Sequence, residues 1–320
     1  MDWSRIRRKK ATPVKESGAY TNLDDLVRIQ FKVVDFSLLP QQPVTSILSG
    51  RYASRLRGRG LNFEELRRYQ SGDDIRTIDW KVTARTRSPH VRVYTEEKDR
   101  AVLLIVDQRI NMFFGTKTRF KSVTAAEIAA VAAWRAVDAG DRVGAIVFND
   151  SEVVEITPRR SHQNVMSILS AVVRLNHQLS AVSQVDTNEA MLNRVLKRAE
   201  QLASHDVLVV LISDFYGVDE QSERLTAQIA VHNDILALYP YDPIRKNPGK
   251  ERLTLSDSKL EIEINLGDTA MREKLISDYH DEEERIGYFL RKLSAPLLMI
   301  SNETDVTDQI RTYLGINRPR

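Results

Sequence analysis

The chain has no cysteine among its 320 residues. That excludes disulfides, zinc–thiolate sites and a thiol nucleophile, and it fits a reducing cytosol. Also missing is any apolar run near the ~20 residues that span a bilayer. The basic N-terminus (Arg5, Arg7, Arg8, Lys9, Lys10) is followed by no apolar segment and is not read as a secretory signal. A cytoplasmic location without a membrane span is expected. No Gly-x-x-x-x-Gly-Lys loop, Gly-x-Ser-x-Gly elbow or His-Glu-x-x-His pair occurs. Gly58-x-Gly60 lacks the preceding strand that a dinucleotide loop needs. The six histidines (His90, His162, His177, His205, His232, His280) are scattered. Neither catalysis nor a cofactor is expected.

What is present suffices for a core: 42% of residues are hydrophobic and 28% charged. The net charge of +3 is unevenly placed. Residues 51–100 hold 13 Lys/Arg against 8 Asp/Glu, and residues 257–288 hold 10 acidic side chains against 4 basic ones. Stretches of opposite sign are solvated faces or surfaces that steer association.

The most apolar stretch is 101–107, Ala-Val-Leu-Leu-Ile-Val-Asp. A run apolar on both faces reads as a central parallel strand covered by helices on each side. In open α/β sheets the ligand crevice lies beyond the carboxyl ends of such strands, which places Asp107 where a site belongs. A second such strand, 206–213, ends at Asp214. Around them the pattern predicts helices over 23–36, 120–139, 161–175, 187–203, 220–231 and 306–314, and strands over 142–148, 152–156, 234–239 and 296–301. Pro240 is read as closing the 234–239 strand. The expected fold is an α/β, mostly parallel sheet with helices on both faces. Its expected parts are a poorly ordered basic segment (1–20), an N-terminal module (21–99), the α/β domain (100–240 and 296–320) and an insertion (241–295). The insertion holds a hairpin over 252–264 and an acidic helix over 268–293.

The order Asp107…Thr187…Ser213-Asp214 resembles the metal-ion-dependent adhesion site of von Willebrand factor A domains. There an Asp-x-Ser-x-Ser turn, a Thr and a second Asp offer hard oxygen ligands to Mg²⁺. Here the turn reads Asp107-Gln108-Arg109-Ile110-Asn111, so both serines are replaced. Asn111 retains a carbonyl oxygen. Arg109 carries only donors and cannot ligate a cation, but its fork can fill the cation's place between Asp107 and Asp214. The site is expected to be degenerate: no metal, or weak Mg²⁺ at Asp107, Asn111, Thr187 and Asp214. Plainer readings stand beside this one. Thr187 fits a helix start under an Asp186…Glu189 capping box, and Asp214 fits the opening of a turn.

A second constellation runs from Arg57-Gly-Arg-Gly60 through Arg67, Arg68, Asp73, Asp74, Arg76, Asp79, Trp80 and Arg85 to Glu96 and Glu97. With the 101–107 strand, Phe114-Gly115, Ala125-Ala126 and Gly140-Asp-Arg-Val-Gly144, it resembles the bacterial domain of unknown function 58 family, over roughly 50–240. That family joins such a module to a von Willebrand A-like domain. Physically, the charges read as an ion-pair network that folds the segment onto the domain with Trp80 as its apolar anchor. A partner surface is the alternative.

The resemblance implies a non-catalytic adaptor that binds a MoxR-type AAA+ ATPase, and other von Willebrand A proteins, in a chaperone-like or maturation assembly. Two surfaces are candidates: the rim at Asp107, Arg109, Asn111 and Asp214, or the acidic helix. Nucleic-acid binding through the Arg-rich region is the alternative, weakened by the interleaved acids. A metal-dependent hydrolase on Asp107 and Asp214 is a third reading and lacks a general base.

Overall fold

A computed structural model of the chain describes residues 18–33, 61–96, 100–181, 187–246, 248–249, 252–257, 260–265, 267–292 and 295–314. Arg57, Glu97 and residues 1–17 lie outside them. The chain divides into two compact units, 1–48 with 100–320, and 49–99.

In chain order the elements are α1 (Leu23–Arg28), β1 (Leu61–Arg68), α2 (Trp80–Thr86), β2 (His90–Glu96), β3 (Ala101–Asp107), α3 (Lys121–Asp138), β4 (Arg142–Phe148), β5 (Val153–Arg159), α4 (His162–Asn176) and α5 (Ala190–Leu202). There follow β6 (Val207–Ile212), α6 (Glu220–Ala230), β7 (Asp234–Tyr241), β8 (Arg252–Asp257), β9 (Leu260–Asn265), α7 (Thr269–Lys292), β10 (Leu297–Ser301) and α8 (Val306–Tyr313).

The larger unit is built on a six-stranded sheet in the order β10-β7-β6-β3-β4-β5, parallel except for β5. This is the von Willebrand A-like arrangement expected, with 101–107 between 142–148 and 207–212. Period-two alternation sorts the strand residues onto two faces. Val102, Leu104 and Val106 belong to the core that takes in α1, α3, α4 and α8, whereas Leu103 and Ile105 belong to the one that takes in α5, α6 and α7. The alanines of α3 let it lie close on the sheet, and it is buried along nearly its whole length.

Several expectations need correction. Residues 18–33 belong to the α/β unit, not to the module. Leu26 and Val33 are fully buried, and the Trp134 indole donates to the Leu26 carbonyl at 3.2 Å. Tyr20, within the segment read as a basic tail, packs on Phe113 and donates to Leu179 O at 2.9 Å. Residues 241–295 are not a plain insertion either. Joining parallel β7 to β10 requires a crossover, and α7 supplies it, with Ile286, Phe289 and Leu290 in the second core. Among the described residues, the β8–β9 hairpin is the additional element. Pro240 lies inside β7. Leu238 O faces β6 and accepts from Ser213 N, so residue 240 points the same way, beyond the end of β6, where its missing N–H costs nothing. Among the described residues no helix is long and apolar enough to cross a membrane.

The smaller unit is an antiparallel β1–β2 pair, with a 3-10 turn (Ile75–Thr77) and α2 between the strands. Asp79 N donates to His90 O at 2.8 Å and ties the connection back to β2. Trp80 is 68% exposed.

Candidate functional site

The chain order reverses at β3: β4 and β5 extend the sheet on one side, while β6, β7 and β10 lie on the other. The crevice at that switch point is the topologically favoured site of an α/β sheet, and Asp107 and Asp214 both reach it. Neither is available to a ligand. Arg109 is fully buried and turns its fork onto Asp107, with Nη2 to Oδ2 at 2.7 Å and Nε to Oδ1 at 3.1 Å. The same guanidinium donates to Tyr216 O at 3.1 Å and Asn188 O at 3.4 Å, and sits 5.6 Å from the Phe148 ring centroid. Ser213 Oγ donates to Asp107 Oδ2 at 2.7 Å.

Asp214 is served by a different cation. Lys121 Nζ donates to its Oδ2 at 2.5 Å, Asn111 Nδ2 to its Oδ1 at 2.6 Å, and Tyr216 N to Oδ1 at 3.1 Å. Burial alone would raise the Asp214 pKa, but the Lys121 charge and hydrogen bond, helped by Asn111 and Arg109, hold it down at about 2. Likewise, burial alone would lower the Arg109 pKa, and the Asp107 carboxylate outweighs it and raises it. The fork thus rests on Asp107. It does not reach Asp214 as a hydrogen-bond partner.

Lys121 was not singled out in the sequence. A signal existed: a lysine in the first turn of a helix opposes the dipole there, so it implies a carboxylate nearby. Asp150 lies in the turn between β4 and β5. Its carboxylate accepts from Ile110 N at 2.7 Å and Asn188 N at 2.8 Å, joining three loops, and burial raises its pKa against those two bonds. Thr187 makes no hydrogen bond to these groups among the described residues and lies ahead of α5, which begins at Ala190. Asp186, the other half of the capping box, is outside the described residues.

The turn after β6 is held in uncommon backbone geometry. Phe215 has φ 55° and Gly217 φ 79°. A left-handed bulky residue costs about 1–3 kcal/mol. Ser213 Oγ accepts from Phe215 N at 2.9 Å, and the Phe215 ring is buried against Tyr239 and Phe289. This turn presents the Tyr216 carbonyl to Arg109.

These residues do not fit Mg²⁺. A guanidinium and an ammonium stand on the two strand-end carboxylates, and among the described residues no three His, Asp or Glu side chains form a metal cage.

The charged residues of the smaller unit are only partly brought together. Arg67 and Asp73 form a bidentate pair at 2.9 and 2.7 Å. Asp74 accepts from Arg76 N, and Asp79 accepts from Lys81 N and Val82 N as the cap of α2. Arg68, Arg76 and Arg85 are exposed and form no ion pair among the described residues. The Glu96 side chain is outside the description, as are Arg57 and Glu97.

A family model described as "Protein of unknown function DUF58" matches residues 65–285. The chain belongs to this family. The DUF58 match begins within β1 and ends within α7, so it takes in most of the smaller unit and the switch-point crevice. Among curated proteins, the uncharacterized proteins Rv1480 of Mycobacterium tuberculosis (strain H37Rv) and Mb1516 of Mycobacterium bovis are each 28% identical over 284 residues, covering 88% of this chain and 87% of theirs. Among solved structures, the conserved hypothetical protein BatB from Bacteroides thetaiotaomicron aligns over 68% of this chain and 100% of its own, at TM-score 0.38 and 13% identity.

Proposed function

We propose that this protein is a non-catalytic, cytoplasmic binding adaptor for a MoxR-type AAA+ ATPase, working in a chaperone-like or maturation assembly. The observation that carries the reading is the closed switch-point crevice. Asp107 and Asp214 are each held by an internal cation, so neither is poised as a base or a metal ligand. A fold whose usual reaction site is filled by its own side chains is better suited to presenting a surface than to chemistry.

Burial chooses between the two candidate surfaces. Arg109 is inaccessible, so it cannot offer its charge to a partner. The acidic helix can: Ser277, Asp281, Glu284 and Tyr288 follow one another at helical spacing along α7, all exposed, with Tyr288 at 62%. Such a stripe, acidic with an aromatic at one end, would steer and then hold a basic ATPase face. The test is capture of the purified ATPase with ATP at low and high salt. Asp281→Lys with Glu284→Lys should abolish it, and wild-type capture should weaken with salt. A charge-reversed helix that captures as well as wild type would overturn the reading.

A further inference from the structure

Two of the six histidines stand apart by position and by freedom. His90 and His177 each meet a backbone carbonyl, Ser88 O at 2.7 Å and Thr21 O at 2.6 Å, and His280 lies 3.7 Å from the Glu283 carboxylate. His205 and His232 are both exposed, and neither imidazole makes a hydrogen bond or ion pair among the described residues. Yet their ring centroids are 4.8 Å apart. They sit on the loops that lead into β6 and β7, at the amino end of the sheet and opposite the crevice. Those loops are tied to each other. Asp206 N donates to His232 O at 2.9 Å, with Asp206 in the left-handed region at φ 58°. Asn233 Nδ2 donates to Ala203 O at 3.1 Å and Ile229 O at 3.0 Å, and its Oδ1 accepts from Val207 N at 3.0 Å. The backbone therefore holds the two imidazoles together, and either ring can turn without losing a hydrogen bond.

We propose that His205 and His232 form a two-nitrogen chelate for a divalent transition-metal ion. Neutral imidazole is the commonest metal ligand. At a metal–nitrogen distance of about 2.0–2.1 Å, each ring centroid would stand about 3.2 Å from the ion. The 4.8 Å separation then subtends roughly 95–100° at the metal. That is close to the angle between adjacent positions of a square-planar or octahedral ion. Among the described residues no third His, Asp or Glu completes a cage, so water or a partner's side chain fills the remaining positions. A structural zinc site uses four protein ligands, whereas tetragonal Cu²⁺ and Ni²⁺ suit adjacent nitrogens with oxygen beyond, and Cu²⁺ binds such sites most tightly. An ion held there would brace the loops ahead of β6 and β7, a part of the fold that neither the crevice nor the α7 stripe uses.

The test uses the untagged full chain and Cu²⁺ alone, followed by calorimetry and by electron paramagnetic resonance at neutral pH. One Cu²⁺ should bind, with two coordinated nitrogens in the resonance spectrum. His205→Ala and His232→Ala should each weaken binding at least tenfold, because even an outer-shell change typically costs that much. His162→Ala removes a different exposed imidazole and should bind as wild type does. Binding should fade as pH falls through about 6.5, where imidazole takes up a proton. Binding that survives substitution at either member of the pair, or a spectrum with a single coordinated nitrogen, would overturn the proposal. So would an equal loss in His162→Ala, binding that is indifferent to pH, or failure of the wild-type chain to take up Cu²⁺.

Discussion

Replacing Lys121 by Met tests the closed crevice directly. The ammonium lies 2.5 Å from Asp214 Oδ2, with the two side chains 10% and 5% exposed. At an effective dielectric of ~20 the gross attraction over that distance is roughly 6–7 kcal/mol, largely offset by the desolvation of both ions. What matters is the state left behind. Without Lys121, Asp214 keeps only the Asn111 amide and the Tyr216 N–H, and a buried charge stripped of its partner costs about 3–5 kcal/mol. In a unit of this size that lowers Tm by roughly 10 °C. The loss should depend on pH in a defined direction. In wild type the Asp214 pKa is held at about 2, below the unfolded value, so its contribution is complete at neutral pH and is lost as pH falls from about 4 towards 2. In Lys121→Met burial should push it above the unfolded value, so the variant loses stability as pH rises through that new pKa. Urea melts should therefore show the largest gap at pH 7 and a closing gap at pH 4. Lys121→Met with Asp214→Asn should recover at least half the loss. A single variant within about 1 kcal/mol of wild type, or a gap that does not change with pH, would refute the account.

Other outcomes follow from the same structure. Arg109→Ser with Asn111→Ser restores the serine pattern of an adhesion site but leaves Lys121 on Asp214, so calorimetry should find Mg²⁺ no tighter than about millimolar; adding Lys121→Ser should be needed before tighter binding appears. Gly217→Ala forces a Cβ to 2.9 Å from Glu189 Cβ at φ 79°, and should cost about 1–3 kcal/mol in a denaturant melt. Asp79→Ala removes the cap of α2, costing about 1 kcal/mol, and hydrogen exchange should quicken at 81–86 while β3 and β6 stay protected.

The strands were legible because burial on both faces writes itself as an unbroken apolar run, and β4 begins and ends where its sequence predicts. Pairings between distant segments were not. Nothing local in Leu26, Ile29 or Val33 tells that they meet α3 and α4 across a hundred residues. The inward residues of α7 (Tyr279, Ile286, Phe289, Leu290) were masked by the acids between them, so a core helix read as an insertion. At the crevice, Arg109 declared itself because a guanidinium at a ligand position is chemically incompatible with a metal. Lys121 hid because it looked like an ordinary helix charge.

Because residues 18–33 lock into the α/β core, the smaller unit is an excursion from that domain, not a prefix to it. The polypeptide leaves a folded body and returns to it at Arg100. A truncation that starts at 99 would strip the core of Leu26 and Val33 together with the module, confusing two losses. Joining 33 to 100 through a short linker would remove 34–99 while keeping Leu26 and Val33. Proteolytic cleavage inside the module would cut the covalent path yet leave both pieces of the domain clasped, so the nicked protein should migrate as one species until denatured.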